Sequence, residues 1–380
     1  MIRFLHLSDL HLGWHPSFME PDLAKQIQQE RDQVLAQAVA YALAPDREID
    51  LVIIAGDLFE THRPGPELVE YAVRQLQRCI DAGKLVITVP GNHDEFTYRD
   101  SVYREAQDRW PGLLVTNPMP EPVLQAEIKG HQLYVYSLAY VGGVTRAEPP
   151  IEDFPRVQQE GFHLGIFHGS YNWQGGERSL PLDPEGLARA NYDYVALGHF
   201  HRYRAIKIGG GLGVYPGMAA GKGFHDLGTG ELVLGEWEPG TGIKLTGLPV
   251  QVPRFQLRQL DISQAADEAS LAALIAAEAD PGALVQVELQ GIVDFPLDCR
   301  RLQERVRHHF RYLELVDRSY FLSPDQLERW SQDKTITGFF IRRMKERLQQ
   351  AASEEEKRLL NRALTQGILA LQGGKRIGQS

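Results

Sequence analysis

Five clusters of carboxylate, imidazole and amide side chains punctuate the first half of the sequence. They are Asp9-Leu10-His11, Gly56-Asp57, Gly91-Asn92-His93-Asp94, His168-Gly169 and Gly198-His199-Phe200-His201. A mixed oxygen and nitrogen donor set without thiolate suits Mn(II), Fe(II) or Zn(II) better than a structural, cysteine-rich zinc. The donors are too many for one tetrahedral ion and about right for two ions sharing a carboxylate. Two ions so placed clamp an in-line attack at phosphorus. Each cluster alone also has a plainer reading. A single histidine after a strand is commonly a hydrogen-bonded rim residue, GNHD is rich in turn formers, and Asp57 alone could cap a helix. Their joint occurrence, each after an apolar run, is hard to obtain by chance.

The elements that must carry these clusters are legible as buried strands at 2–8, 51–55, 84–89, 132–138, 162–167 and 192–197. Between the first two, Leu23, Ile27, Val34, Leu35, Ala38, Val39 and Ala42 follow helical spacing. A second helix is predicted from Pro66 to Ala82, with the proline in its first turn. Strand and helix alternate, so the domain is α/β with at least some parallel strands. In such sheets ligands bind at the carboxyl ends of the strands, and all five clusters then face one rim. Residues i and i+2 of extended backbone point the same way. Asp9 and His11, and likewise His199 and His201, are therefore each expected to aim at one centre. Glycines 56, 91, 169 and 198 are expected to let the backbone turn tightly beside the ions.

The glycine-dense stretch 209–249, with runs such as ELVLGEW, suggests hairpins closing this domain. A boundary is read at VPRF, 252–255. Beyond it come a strand at 254–262, a helix at 267–278, a strand at 283–290, a helix at 298–310 and a strand at 312–317. From Ser323 the chain turns helical, with one apolar stripe on Ile336, Phe340, Met344 and Leu348 and another on Leu359, Leu360, Ala363, Leu364, Ile368 and Leu371. The run RRLQERVRHHFR is the best local basic patch. It is expected to hold Arg301 and Arg305 outward, where arginine pairs well with phosphate.

The chain has 380 residues, 43% apolar and 24% charged, which excludes a disordered, collagen-like or disulfide-scaffold protein. No apolar run is long enough to span a membrane. The start, with Asp9 already acidic, lacks the features of a signal peptide. Cys79 and Cys299 show neither metal nor redox spacing and are expected to be packing residues in a reducing cytoplasm. A net charge of −10 argues against a protein held on nucleic acid by bulk electrostatics.

In series, DLH, GDLF, GNHD, HG and GHFH resemble the calcineurin-like metallophosphoesterase superfamily. HLSDLHLG and the GDLFE-x-HRP stretch resemble more closely the SbcD-type bacterial DNA repair exonucleases, counterparts of the nuclease in Mre–Rad complexes. The resemblance implies a two-sheet α/β sandwich flanked by helices over 1–252, a small α+β capping domain over 253–322, and a C-terminal helical hairpin over 323–380 that docks on an SMC-like ABC ATPase. It implies two divalent metal ions, Mn(II) foremost. The first would take Asp9, His11, Asp57 and His201. The second would take Asp57, Asn92, His168 and His199, with Asp57 bridging. His93 would be the catalytic histidine, with Asp94 orienting its imidazole. DNA is the implied substrate, with Arg301 and Arg305 as DNA contacts, and a homodimer is compatible with it. Two positions depart from the family pattern. Glu60 stands where archaeal and eukaryotic relatives read His, and Tyr215-Pro216-Gly217-Met218 replaces a Gly-Ser ending.

The function expected is a metal-dependent DNA exonuclease, the nuclease subunit of a repair complex. The competing readings are a phosphodiesterase for cyclic nucleotides or nucleotides, and a non-enzymatic scaffold of the same fold. The extra domains weigh against the former and the complete ligand set against the latter.

Overall fold

In a computed structural model, the structure describes residues 1–140, 151–172, 179–293, 295, 297–321 and 324–371. The chain divides into two compact units, Met1–Arg254 and Phe255–Ser380.

The first unit is built on two six-stranded sheets. One runs in the order Gly242–Pro249, Glu231–Glu238, Ile2–Leu7, Leu51–Ala55, Leu85–Val89 and Leu113–Leu114. The last four of these are parallel, and Glu231–Glu238 pairs antiparallel with Ile2–Leu7. The other sheet runs Arg204–Ile208, Gly211–Tyr215, Tyr194–Gly198, Phe162–His168, His131–Ser137 and Glu121–Ile128, with the four inner strands parallel. These strands are apolar on both faces because both faces are covered. Phe4, Leu51, Ile53, Ile87 and Val89 meet Val135, Phe162, Leu164, Ile166 and Tyr194 between the sheets. The alternate residues Leu5, Leu7, Val52 and Ile54 pack under the helices Pro21–Leu43 and Pro66–Asp81, against Val34, Leu35, Ala38 and Leu76. On the far side of the second sheet, Phe167, Val195 and Leu197 pack with Leu187 and Tyr192.

Parallel register is what positions the clusters. Leu7 pairs with Ile54, Ile54 with Thr88, and Gly198 with His168. The strands ending at Leu7, Ala55, Val89, His168 and Gly198 therefore stop together at one rim.

The second unit has a three-stranded sheet, Arg254–Asp261, Ala283–Gln290 and Tyr312–Asp317. Helices Glu268–Ala277 and Cys299–Val306 bury Leu271, Ile275, Leu302 and Val306 against it. The expected pair of C-terminal helices is Ile336–Gln350 and Glu354–Leu371, joined through Ile341, Met344, Leu364 and Ile368. A shorter helix, Pro324–Gln332, precedes them and adds Leu327 and Trp330 to that core, so the segment is three helices and not a simple hairpin. The expected junction at 322/323 and the residues 372–380 lie outside the described residues. Cys79 and Cys299 are free thiols. No helix among the described residues is long and apolar enough to cross a membrane.

Phe4 is one of the links between the two sheets. It is fully buried and packs on Phe162 at 5.7 Å and on Tyr194 at 4.8 Å between ring centroids. Phe4→Ala should cost about 3–5 kcal/mol of stability, read as a lowered urea midpoint with an unchanged slope.

Candidate metal centre

The loops that leave the strand ends are tied to one another before any side chain is considered. Asp9 N donates to Gly56 O at 3.0 Å, His11 N to Asp57 O at 3.0 Å, Leu12 N to Leu58 O at 2.8 Å and Glu60 N to Leu12 O at 3.0 Å. Two glycines permit close approach, and neither needs a positive φ to do so. A Cβ on Gly91 would lie 2.1 Å from Asp57 Oδ1, and one on Gly198 would lie 1.8 Å from Ala55 O.

The expectation of extended backbone at the paired residues is overturned. Asp9, His11 and Asp57 have φ of 53°, 46° and 51°, and His199 has 107°. These are sparsely populated conformations that cost on the order of 1–3 kcal/mol each. Asp9 and His11 still converge, because successive left-handed turns curl the chain around the rim. His199 and His201 part. His201 Nε2 faces His11 Nε2 at 3.2 Å and Asp9 Oδ1 at 3.8 Å. His199 Nδ1 instead lies 2.9 Å from Asn92 Oδ1, which is also 2.9 Å from His168 Nε2. Asp57 Oδ2 stands between the two groups, 3.8 Å from His11 Nε2 and 3.4 Å from His168 Nε2. All seven side chains named as ligands in the sequence are therefore brought together, in two subgroups around Asp57.

The donor set fits a divalent cation pair. His11 Nδ1 faces Glu60 Oε2 at 2.9 Å, and His201 Nδ1 pairs with Asp226 Oδ2. With a ring proton on each Nδ1, facing those carboxylates, both Nε2 atoms would present lone pairs to each other at 3.2 Å. Such an arrangement repels unless a cation or a proton lies between. His168 Nδ1 likewise donates to Ala55 O at 2.9 Å, so Nε2 is the ring atom that faces Asn92 Oδ1 and Asp57 Oδ2, and it is the nitrogen that would give its lone pair to a bound cation. Burial opposes charge on both Asp57 and His168. For Asp57 it is outweighed by His168, then His11 and His93, which hold the carboxyl well below its usual range. For His168 it is outweighed by Asp57, then Asp9, which push the imidazole up to about 9.

His93 stands at the edge of this group, its ring 4.7 Å from that of His11 and perpendicular to it. Its amide donates to Asp57 Oδ1 at 2.8 Å and its Nδ1 to the carbonyl of Glu60 at 3.0 Å. The expectation that Asp94 orients this imidazole is corrected. Asp94 is fully buried and accepts from Phe59 N at 3.0 Å, Gly91 N at 2.7 Å and Tyr103 OH at 2.8 Å. The tight turn sends neighbouring side chains in opposite directions, so a backbone carbonyl orients His93. Burial, and next the charge of Asp57, push the Asp94 carboxyl up to about 6.

Sequence reasoning missed Asp226, Lys222 and Arg31, and it noted Glu60 only as a departure. Lys222 Nζ reaches the Glu60 carboxylate at 2.7 and 2.9 Å. Arg31 is buried and donates to Gly221 O at 2.8 Å and Ala220 O at 2.7 Å, pinning the segment that carries Lys222 and Asp226. The only signal in the sequence was charge, Lys222 and Asp226, inside a glycine-rich stretch. Arg301 and Arg305 belong to the second unit, where both are exposed and face Glu268 Oε1 at 3.4 and 3.8 Å.

The curated relatives include an uncharacterized metallophosphoesterase, YhaO, of Bacillus subtilis, 22% identical over 60% of this chain and 55% of that protein. The DNA double-strand break repair protein Mre11 of Sulfurisphaera tokodaii is 25% identical over 68% of this chain and 63% of its own length. The SbcD component of the nuclease SbcCD of Bacillus subtilis is 24% identical over 60% of this chain and 64% of its own length. The matches thus span somewhat over half of each relative. The family model for calcineurin-like phosphoesterases matches residues 2–203, the segment that supplies all five clusters. With the two-sheet fold and the donor-lined rim, this match establishes that the chain belongs to the calcineurin-like metallophosphoesterase family.

Proposed function

We propose that the chain is a metal-dependent DNA exonuclease that hydrolyses phosphodiester bonds with two divalent ions, and the nuclease subunit of a DNA repair complex. The observation that carries this reading is the Asp57 carboxylate standing between two groups of imidazole donors. One ion is assigned to Asp9, His11, Asp57 and His201, and the other to Asp57, Asn92, His168 and His199. When bound, the ions, Mn(II) on this reading, supply Lewis-acid polarisation of the phosphoryl group and of an attacking water.

The side chains do the rest. Phosphodiester cleavage expels an alkoxide, a poor leaving group. His93 is held at its amide by Asp57 and at Nδ1 by the Glu60 carbonyl, so that its imidazolium form has the Nε2 proton free to pass to that oxygen, leaving a neutral ring with its proton on Nδ1. DNA as the substrate is supported by the names of the Mre11 and SbcCD relatives. On this reading the second unit is a cap followed by a helical segment that docks on an SMC-like ABC ATPase. Arg301 and Arg305 are offered as DNA contacts, tempered by Glu268.

The decisive experiment uses end-labelled duplex and single-stranded DNA with Mn(II), Mg(II) or EDTA. Metal-dependent release of nucleotides from the ends is expected. Turnover confined to cyclic nucleotides or bis-p-nitrophenyl phosphate would replace this reading with a small-molecule phosphodiesterase.

Asp57→Asn removes the shared charge and should lose both ions and all activity, and two tightly bound ions in the purified variant would refute the bridge. His93→Ala should lower turnover on DNA by about 10²–10⁴-fold with both ions retained. Its defect should be smaller on a p-nitrophenyl ester, whose leaving group needs less protonation. Asp94→Ala should instead act on stability, by about 1–3 kcal/mol for each buried donor left without an acceptor, measured by urea titration. A loss of turnover at unchanged stability would return Asp94 to a catalytic role.

A further inference from the structure

Glu60 touches both His11 and His93 at the rim. Its carboxylate Oε2 lies 2.9 Å from His11 Nδ1, and its carbonyl accepts from His93 Nδ1 at 3.0 Å. Both carboxylate oxygens accept from Lys222 Nζ, at 2.9 and 2.7 Å, so the side chain is gripped from the opposite loop. His11 itself is fully buried and has no room to exchange partners with solvent. A neutral imidazole carries one proton, and the nitrogen that holds it is set by the acceptor it meets. Were that proton on Nε2, it would point into the space shared with His201 Nε2 and Asp57 Oδ2.

The arrangement recurs on the facing imidazole, where Asp226 stands behind His201 Nδ1. Lys222 and Asp226 share one loop, and Arg31 ties that loop down through two carbonyls. A carboxylate therefore backs each of the two facing histidines, His11 and His201.

We propose that Glu60 is a positioning residue: its carboxylate, locked by Lys222, accepts from the Nδ1–H of His11, holds the ring proton on that nitrogen and so keeps the Nε2 lone pair turned toward the metal pair. The inference rests on the two-metal reading above and assigns a task to a residue at which this chain departs from the family pattern.

The test titrates Mn(II) calorimetrically into the full chain and its variants. The wild-type chain should take two ions. Glu60→Ala should weaken one of the two sites by about 10–100-fold, as loss of a hydrogen-bonded partner behind a ligand does. Glu60→Gln keeps an acceptor oxygen for Nδ1 and should restore most of that affinity. A second readout needs no variant of Glu60. Nitrogen-15 spectra of the histidine rings in metal-free wild-type protein, with His11 assigned by loss of its signals in His11→Ala, should show the proton on Nδ1. A proton on Nε2 overturns the proposal, as does a Glu60→Ala chain that binds both ions as tightly as wild type. Should Glu60→Ala not fold, the wild-type ring spectrum decides. A wild-type chain that takes up no Mn(II) would defeat the two-metal reading instead, while the ring spectrum still judges the contact between Glu60 and His11.

Discussion

Asp9 and Asp57 are carboxylates withdrawn from water, at 0% and 1% exposure. An ion taken out of water must be repaid by opposite charge and hydrogen bonds, or it neutralises. Much of the rim answers that demand. Imidazoles of His11, His168 and His201 stand around the two carboxylates. The amides of His93 and His199 donate to them. Cations of charge two would compensate them more fully than any arrangement of neutral imidazoles, and a family of metallophosphoesterases is where such a rim belongs.

Around the donors lies a shell of side chains with a different task. Asp94 and Tyr103 buttress the turn before His93 from below. Glu60, Lys222 and Asp226 hold two imidazoles from behind, and Arg31 fastens the loop from within the helix Pro21–Leu43. Holding a ring's orientation by hydrogen bonds outside the donor set is what makes a flexible loop behave as a rigid one. It also offsets the left-handed backbone at Asp9, His11 and Asp57, which no local preference of those residues would select.

Much of the first sheet and three of the four inner strands of the second were legible in the sequence, because LVIIA, LVITV and FHLGIF are continuous apolar runs of strand length and are buried on both faces. The edge strand Glu121–Ile128 was missed, since half of it faces solvent and EPVLQAEI mixes polar and apolar residues. The pair Arg204–Ile208 and Gly211–Tyr215 was hidden by Gly209 and Gly210 between them and by Gly211 and Gly213 within the second. The donors were readable because each follows such a run. Their supports were not, because they act across the fold. Arg31 sits between Glu30 and Asp32 and looks like a solvated helix residue, yet its partners lie near residue 220. Asp94 misled for the opposite reason: adjacency to His93 in sequence is not adjacency of side chains in a tight turn.

The ties between distant loops have a meaning for folding. His11 faces His201 across 190 residues of chain, and His168 faces Asn92 across 76. Contacts of such separation carry a loop-closure cost that only the pairing and packing of the two sheets can offset. The donor group therefore exists only where the two sheets are joined, because its members leave strand ends of both. An ion captured there stabilises the completed first unit against global opening and does nothing for its fragments. Metal supply would then act as a thermodynamic proofreader of the finished fold, drawing the folding equilibrium toward chains whose two halves have met.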